Sequence, residues 1–251
     1  MGPGSGTAIP ATVALFGTEP VHPAAIKHFN DNDIHPDLWV MAQFGEIFRA
    51  IDPADAAFVA AVGQWEDPVD DDYWNMLSPR EANLAYYYSE IVDQSGSFEH
   101  YFYNLLSINP RSHPATCRLI ALGLSVAGVV GMHHKLNLKR PRPAQVLPGL
   151  FPFLPTPAHP SYPSNHATQS HTAALLLIDA IGATAAAAYA EPLKLLADRI
   201  SVNRERAGLH YATDTAAGEE LAKVLAARLA GLPLVQPLIA ETANELAAGF
   251  A

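Results

Sequence analysis

From Leu119 to Met132 the chain runs 14 residues without a charged side chain, inside a helix-patterned segment from Ser112 to Leu138. A helix that is apolar almost all round has no face to give to water, so it belongs in the middle of a bundle of other helices. The run falls short of the roughly 20 residues that cross a bilayer, so no membrane span is expected. Flanking segments repeat the helical period. Leu38, Met41, Phe44, Ile47 and Phe48 recur at three or four from Asp37. Asp52-Pro53-Ala54-Asp55 reads as an N-cap with proline at the first helical position, leading into Phe58, Val59, Val62 and Trp65. Ser78-Pro79-Arg80-Glu81 is a capping box opening a helix to about Glu90, before Gly96.

Past the central segment, Pro141 and Pro143 stop the helix. Eight prolines lie between Pro141 and Pro163, which predicts an extended connection without regular structure. Long irregular loops within compact domains tend to be functional. This one ends in His159-Pro160-Ser161-Tyr162-Pro163-Ser164-Asn165-His166, where an Ala/Leu-rich helix begins and runs to Tyr189 with a break at Gly182. Further helices are read from Glu191 to Arg204, from His210 to Leu229 and from Pro237 to Ala248. No strand-like alternation of useful length and no internal repeat is present. The expected fold is all-α: a leader over residues 1–36, then one helical bundle over 37–251, with the functional residues at converging helix ends.

The formal net charge is −10, with 25 acidic and 15 basic residues, which argues against nucleic acid as a partner. Yet Lys135, Lys139, Arg140, Arg142, Arg204 and Arg206 concentrate six of the 15 cations in two short stretches, so one local positive site is expected. Cys117 is the single cysteine, so no intramolecular disulfide can form, and a buried inert thiol is expected. His22, His28 and His35 have no ligand spacing, and the aspartates between Asp67 and Asp72 read as a solvated turn, so no metal is assigned. His171 stands five residues from His166, where a zinc pair prefers four. The aromatic-dense region from Tyr86 to Tyr103 reads as core packing, with a pocket lining as the sharper alternative. Met1 to Ala11 has neither the basic nor the apolar part of an export signal; periplasmic, secreted and cytoplasmic locations all stay open, as does a homo-oligomer.

Ser164 suits the cap of the helix that begins there, whose N–H groups and positive dipole end favour an anion. His210 and Asp214 are four apart at another helix start, so the carboxylate can accept Nδ1–H and leave Nε2 with its lone pair. Taken alone, the pair reads as structural. Arg204, six residues upstream across Gly208, is positioned to reach the same point.

Together, Lys135-x6-Arg142-Pro143, Pro163-Ser164-Asn165-His166 and Arg204-x5-His210-x3-Asp214 resemble the three-part signature of the type 2 phosphatidic-acid phosphatase superfamily. That superfamily includes the vanadium-dependent haloperoxidases and the soluble bacterial class A acid phosphatases, and this chain is most similar to the last. Order and spacing agree at every charged position, over the central third to half of the chain. Two positions depart from the usual pattern: Asn165 stands where the family has Gly, and Asn203 where it has Ser.

The resemblance implies a metal-independent phosphatase acting on phosphate monoesters or related small phosphates. In that reading Lys135, Arg142, Arg204, Ser164 and the Asn165 N–H bind the phosphoryl group. His210 is the nucleophile, Asp214 orients it, and His166 protonates the leaving oxygen and later activates water. Because His166 must then begin protonated, a mildly acid optimum is expected. No cofactor is required; vanadate would inhibit. The alternative is a haloperoxidase with vanadate as cofactor on His210, and a third reading is a helical anion-binding protein without turnover.

Overall fold

A computed structural model describes residues 34–66, 85–147, 149–182 and 185–249. Among these residues there is helix and no strand. The elements are α1 (Pro36–Ala50), α2 (Ala56–Val62), α3 (residues 85–93), α4 (Glu99–Leu106), α5 (Pro114–Leu138), α6 (Pro143–Val146), α7 (Asn165–Ile181), α8 (Ala190–Arg206), α9 (Ala212–Ala230) and α10 (Gln236–Gly249). A 3₁₀ turn at Ala185–Tyr189 precedes α8.

The all-α expectation holds, and α5 and α7 form its centre. Helix α7 packs most extensively on α5, α9 and α8, with α10 across one end of the pair. Leu119, Leu122, Val126 and Val130 of α5 join α1, α2 and α9 in one buried cluster. Cys117 and Ile120, from another face of α5, meet Phe102, Leu177, Leu193 and Ile200 in a second. That is why α5 is apolar all round: it faces protein on both sides. By length and hydropathy α5 is a candidate membrane span, yet 72% of its most apolar window is buried inside the fold. Glu245 of α10 accepts from the Ala115 and Thr116 N–H groups, so a carboxylate closes the positive end of α5.

Two close approaches fix the helices that matter later. A Cβ on Gly218 of α9 would sit 2.6 Å from Ser164 O and 2.8 Å from Ala167 Cβ. Glycine there lets α9 lie against the first turn of α7. A Cβ on Gly131 of α5 would meet Asn165 Oδ1 at 2.2 Å, so that side chain fills the notch.

Several sequence expectations are corrected in detail. Asp55, not Asp52, caps α2; Asp52 accepts from Ala54 N in the preceding turn. Trp65 lies beyond the end of α2 and donates Nε1 to Leu138 O at 2.8 Å. Helix α3 continues to residue 93, past the expected end at Glu90. The proline-rich connection is not wholly irregular, because Pro143 starts the one-turn helix α6. His210 precedes α9 instead of opening it. The capping box at Ser78, the turn at Asp67–Asp72, His22, His28 and the leader to residue 33 lie outside the described residues.

Candidate active site

The Tyr162–Pro163 peptide is cis, and Ser164 follows as the cap of α7, its Oγ accepting from Ala167 N. Ser164 N donates in turn to Asp214 O at 2.8 Å, which ties the start of α7 to the first turn of α9. Asp214 is the third residue of α9, and its Oδ2 accepts from Tyr211 N at 3.1 Å. The carboxylate therefore points back along the helix start, where His210 hands it Nδ1 at 2.9 Å. The expected pairing is present, but it arises from capping geometry and not from two positions on one helical face.

Asp214 is fully buried and carries a dense set of donors. Oδ1 receives Arg140 Nη1 at 2.7 Å, and Oδ2 also receives the Ser161 hydroxyl. Burial pushes its carboxyl up; the His210 and Ser161 hydrogen bonds and the Arg140 charge outweigh that and hold it below the usual range. Arg140 is fixed by Thr213 Oγ1 at 2.7 Å and lies 3.9 Å over the Tyr211 ring.

The three expected cations are buried: Lys135 at 0%, Arg142 at 1% and Arg204 at 1% exposure. Their partners are backbone carbonyls. Lys135 Nζ donates to Pro160 O at 3.0 Å and Ser161 O at 2.7 Å. Arg142 gives Nε to His159 O at 3.0 Å and Nη1 to Leu209 O at 2.8 Å. Arg204 gives Nη2 to Ile91 O at 2.7 Å, while its buried Nε has no partner among the described residues. Among the described residues none of the three forms a salt bridge with a carboxylate. Burial lowers all three, Lys135 well below its ordinary value and the two arginines to about 10.

Arg142 Nη1 also reaches Nε2 of His210 at 3.0 Å, and Nη2 lies 3.1 Å from His159 Nδ1. Since Asp214 takes the Nδ1 proton and arginine can only donate, His210 is the Nδ1–H tautomer with its Nε2 lone pair toward Arg142. Burial, with the Lys135 and Arg142 charges, pushes it well down despite Asp214.

His166 puts Nε2 3.0 Å from Gln94 O, and its ring lies 5.2 Å from Phe98. The carbonyl must accept, so Nε2 carries hydrogen and Nδ1 is the nitrogen whose protonation can change. Burial first, then Arg204, Lys135 and Arg142, lowers it to about 3. With no anion beside it the ring favours the neutral form at mildly acid pH, so a protonated start requires a bound anion that raises it. On one side it borders a cleft of ≈ 230 Å³ with Ser97, Phe98, Glu99 and Gln169.

The Asn165 side-chain amide donates to Gly128 O at 3.1 Å and lies in the Gly131 notch, so the side chain turns toward α5. Asn203 binds Gln94 Oε1 through Nδ2 at 2.9 Å, which steadies the residue whose carbonyl holds His166.

Arg140 was named from sequence only as one of six clustered cations, His159 and Ser161 only inside the stretch that closes the loop, and Gln94 not at all; none was given a role. Arg140 and Ser161 sit inside the motifs that were, two residues before Arg142 and three before Ser164. Gln94 lies far away in sequence, and nothing local marks it. Comparison of the chain with family models and with curated proteins gave no match.

Proposed function

We propose that this chain is a metal-independent phosphatase of the type 2 phosphatidic-acid phosphatase kind, hydrolysing phosphate monoesters through a phosphohistidine. The observation that carries this reading is the trio of buried cations without a carboxylate in contact among the described residues. Burying a charge with no carboxylate in contact is costly even with Asp214 near Lys135 and Arg142 and Glu90 near Arg204, and a tetrahedral oxyanion would relieve three at once. A helix start capped by Ser164 and an oriented imidazole lie beside them.

In this scheme phosphoryl oxygens draw Lys135, Arg142 and Arg204 toward themselves, and His210 Nε2 is released to attack phosphorus. The bond from phosphorus to the leaving oxygen breaks as the N–P bond forms, and the leaving oxygen takes a proton from His166. Asp214 supports the charge that develops on the His210 ring. Water then attacks phosphorus, gives its proton to His166 and breaks the N–P bond. Transfer of this kind is chiefly positioning and charge stabilisation, so fixed cations can serve in place of a metal. The two dianion charges would also raise His166 from its depressed free value, which supplies the proton when substrate is bound.

The test is hydrolysis of p-nitrophenyl phosphate in EDTA, with and without vanadate, beside bromination by peroxide in vanadate. Metal-independent hydrolysis blocked by vanadate is expected. Bromination without hydrolysis would replace this reading by the haloperoxidase one, and silence in both by a binding protein without turnover.

A further inference from the structure

On the side of α7 away from α5, three helices bring together His171 of α7, Asp198 of α8 and Glu219 of α9. His171 Nε2 lies 3.5 Å from Asp198 Oδ1 and 3.7 Å from Glu219 Oε1. One ligand atom from each residue lies within 4.8 Å of the others. These are not hydrogen bonds. Nε2 is buried and has no hydrogen-bond partner among the described residues, although it faces two carboxylates.

An ordinary ion pair accounts poorly for a buried ring nitrogen that faces two carboxylates without hydrogen-bonding to either. One imidazole nitrogen and two carboxylate oxygens converging from three helices are instead a donor set for a divalent transition metal. Bonds of about 2.0–2.2 Å in tetrahedral geometry put ligand atoms roughly 3.4 Å apart. Two of the three separations are already within a few tenths of an ångström of that spacing. Lys223 forms its ion pair with Glu220, at 2.5 Å, and not with Glu219.

We infer that His171, Asp198 and Glu219 form a divalent metal site, best matched to Zn²⁺, that clamps α7, α8 and α9 together. Each ligand lies five or six residues along its helix from a residue of the candidate active site: His166, Arg204 and Asp214. That is about 7.5–9 Å of helix rise, so the metal would hold the three helices in register without touching the phosphoryl group. The site stands independently of the phosphatase proposal.

The test uses the full chain stripped by chelator and dialysed, then titrated with Zn²⁺, with Mn²⁺, Mg²⁺ and Ca²⁺ in parallel. One Zn²⁺ per chain by calorimetry is expected, with a rise in melting temperature of about 5–10 °C at a hundredfold excess over Kd. His171→Ala and Glu219→Gln should each weaken binding at least about 100-fold. Asp198→Asn, at a half-exposed position that tolerates change, should remove the thermal shift while leaving the apo melting temperature unaltered. No stoichiometric binding, or binding unchanged in Asp198→Asn and Glu219→Gln, would overturn the site. Phosphatase turnover is a separate readout: activity in EDTA below the apo melting temperature neither requires nor opposes the clamp.

Discussion

Arg142 and His210 are in direct contact, guanidinium Nη1 to imidazole Nε2 at 3.0 Å. The nitrogen proposed to attack phosphorus therefore has its lone pair engaged until something draws the arginine away. A phosphoryl oxygen is a stronger acceptor for a guanidinium than a neutral ring nitrogen, so ligand binding and release of the nucleophile become one event. Arg142 manages this because its planar fork also spans Leu209 O and His159. Arg142→Lys keeps the charge and loses the fork. Steady-state kinetics should show kcat/KM lower by at least about 30-fold, and vanadate inhibition weaker by a similar factor, from the loss of about 2 kcal/mol of charge-assisted contact. Wild-type vanadate affinity in this variant would remove Arg142 from the anion site.

The depressed histidines make stability depend on pH with a definite sign. His166 is lowered to about 3 and His134 to about 4, and His210 is lowered as well. Between these values and about 6.5 the unfolded chain holds protons that the folded chain refuses. Their cost is absent above about pH 6.5 and grows as pH falls toward the folded values, by up to about 1.4 kcal/mol per pH unit for each ring. The melting temperature should drop steadily from pH 7 to pH 4. Inorganic phosphate should flatten that drop by raising the ring nearest the anion, and His166→Asn should reduce the slope by about one proton. A melting temperature level across this range would show that the folded protein accepts those protons.

The same depression shapes catalysis. If His166 donates to the leaving oxygen, kcat/KM reports a free enzyme in which that ring is almost entirely neutral above pH 5. It should therefore still be climbing as pH falls from 6 to 5, while kcat levels off at a higher pH because the bound anion raises the ring. Profiles of both parameters measured from pH 4.5 to 8 would check this. Flat values from pH 5 to 8 would remove His166 as the acid.

What the sequence made legible is what chain-local chemistry determines. The core helix follows from a run with no polar face; Ser164 follows from cap preference; the spacing from His210 to Asp214 survives even though capping, not helix periodicity, joins them. What it hid depends on helices meeting. Asp52 and Asp55 are both competent caps flanking Pro53, and only the folded chain chooses the second. Arg140 looked like one more cation in a basic cluster until α9 placed Asp214 against it. His171 was set aside because spacing along one helix was the only test available, whereas its partners come from two others.

Asn165 and Gly131 are a matched pair across the interface of α5 and α7. The Asn165 side chain occupies the space a Cβ at 131 would need, 2.2 Å from its Oδ1. Gly131→Ala should destabilise the fold by about 1–3 kcal/mol, read by chemical denaturation, because α5 cannot move away from a helix it packs against so closely. Asn165→Gly alone loses the bond to Gly128 O, and the double variant should recover most of the Gly131→Ala loss. Additive losses would mean that the two side chains do not compete for one space.

Arg140 is needed by Asp214 in a way that depends on pH. The pair is buried on both sides, and removing one partner leaves a charge in a place that water cannot reach. Arg140→Met should cost about 3–5 kcal/mol at pH 8, where Asp214 would have to remain ionised or bind a proton against the solution. Near pH 4 the cost should shrink, since the stranded carboxyl, no longer held down by the Arg140 charge, takes up a proton readily. Melting curves of both proteins at pH 8 and pH 4 would show a difference that narrows with acid. A loss equal at both pH values would assign Arg140 to packing against the Tyr211 ring, 3.9 Å away, instead of to the carboxylate.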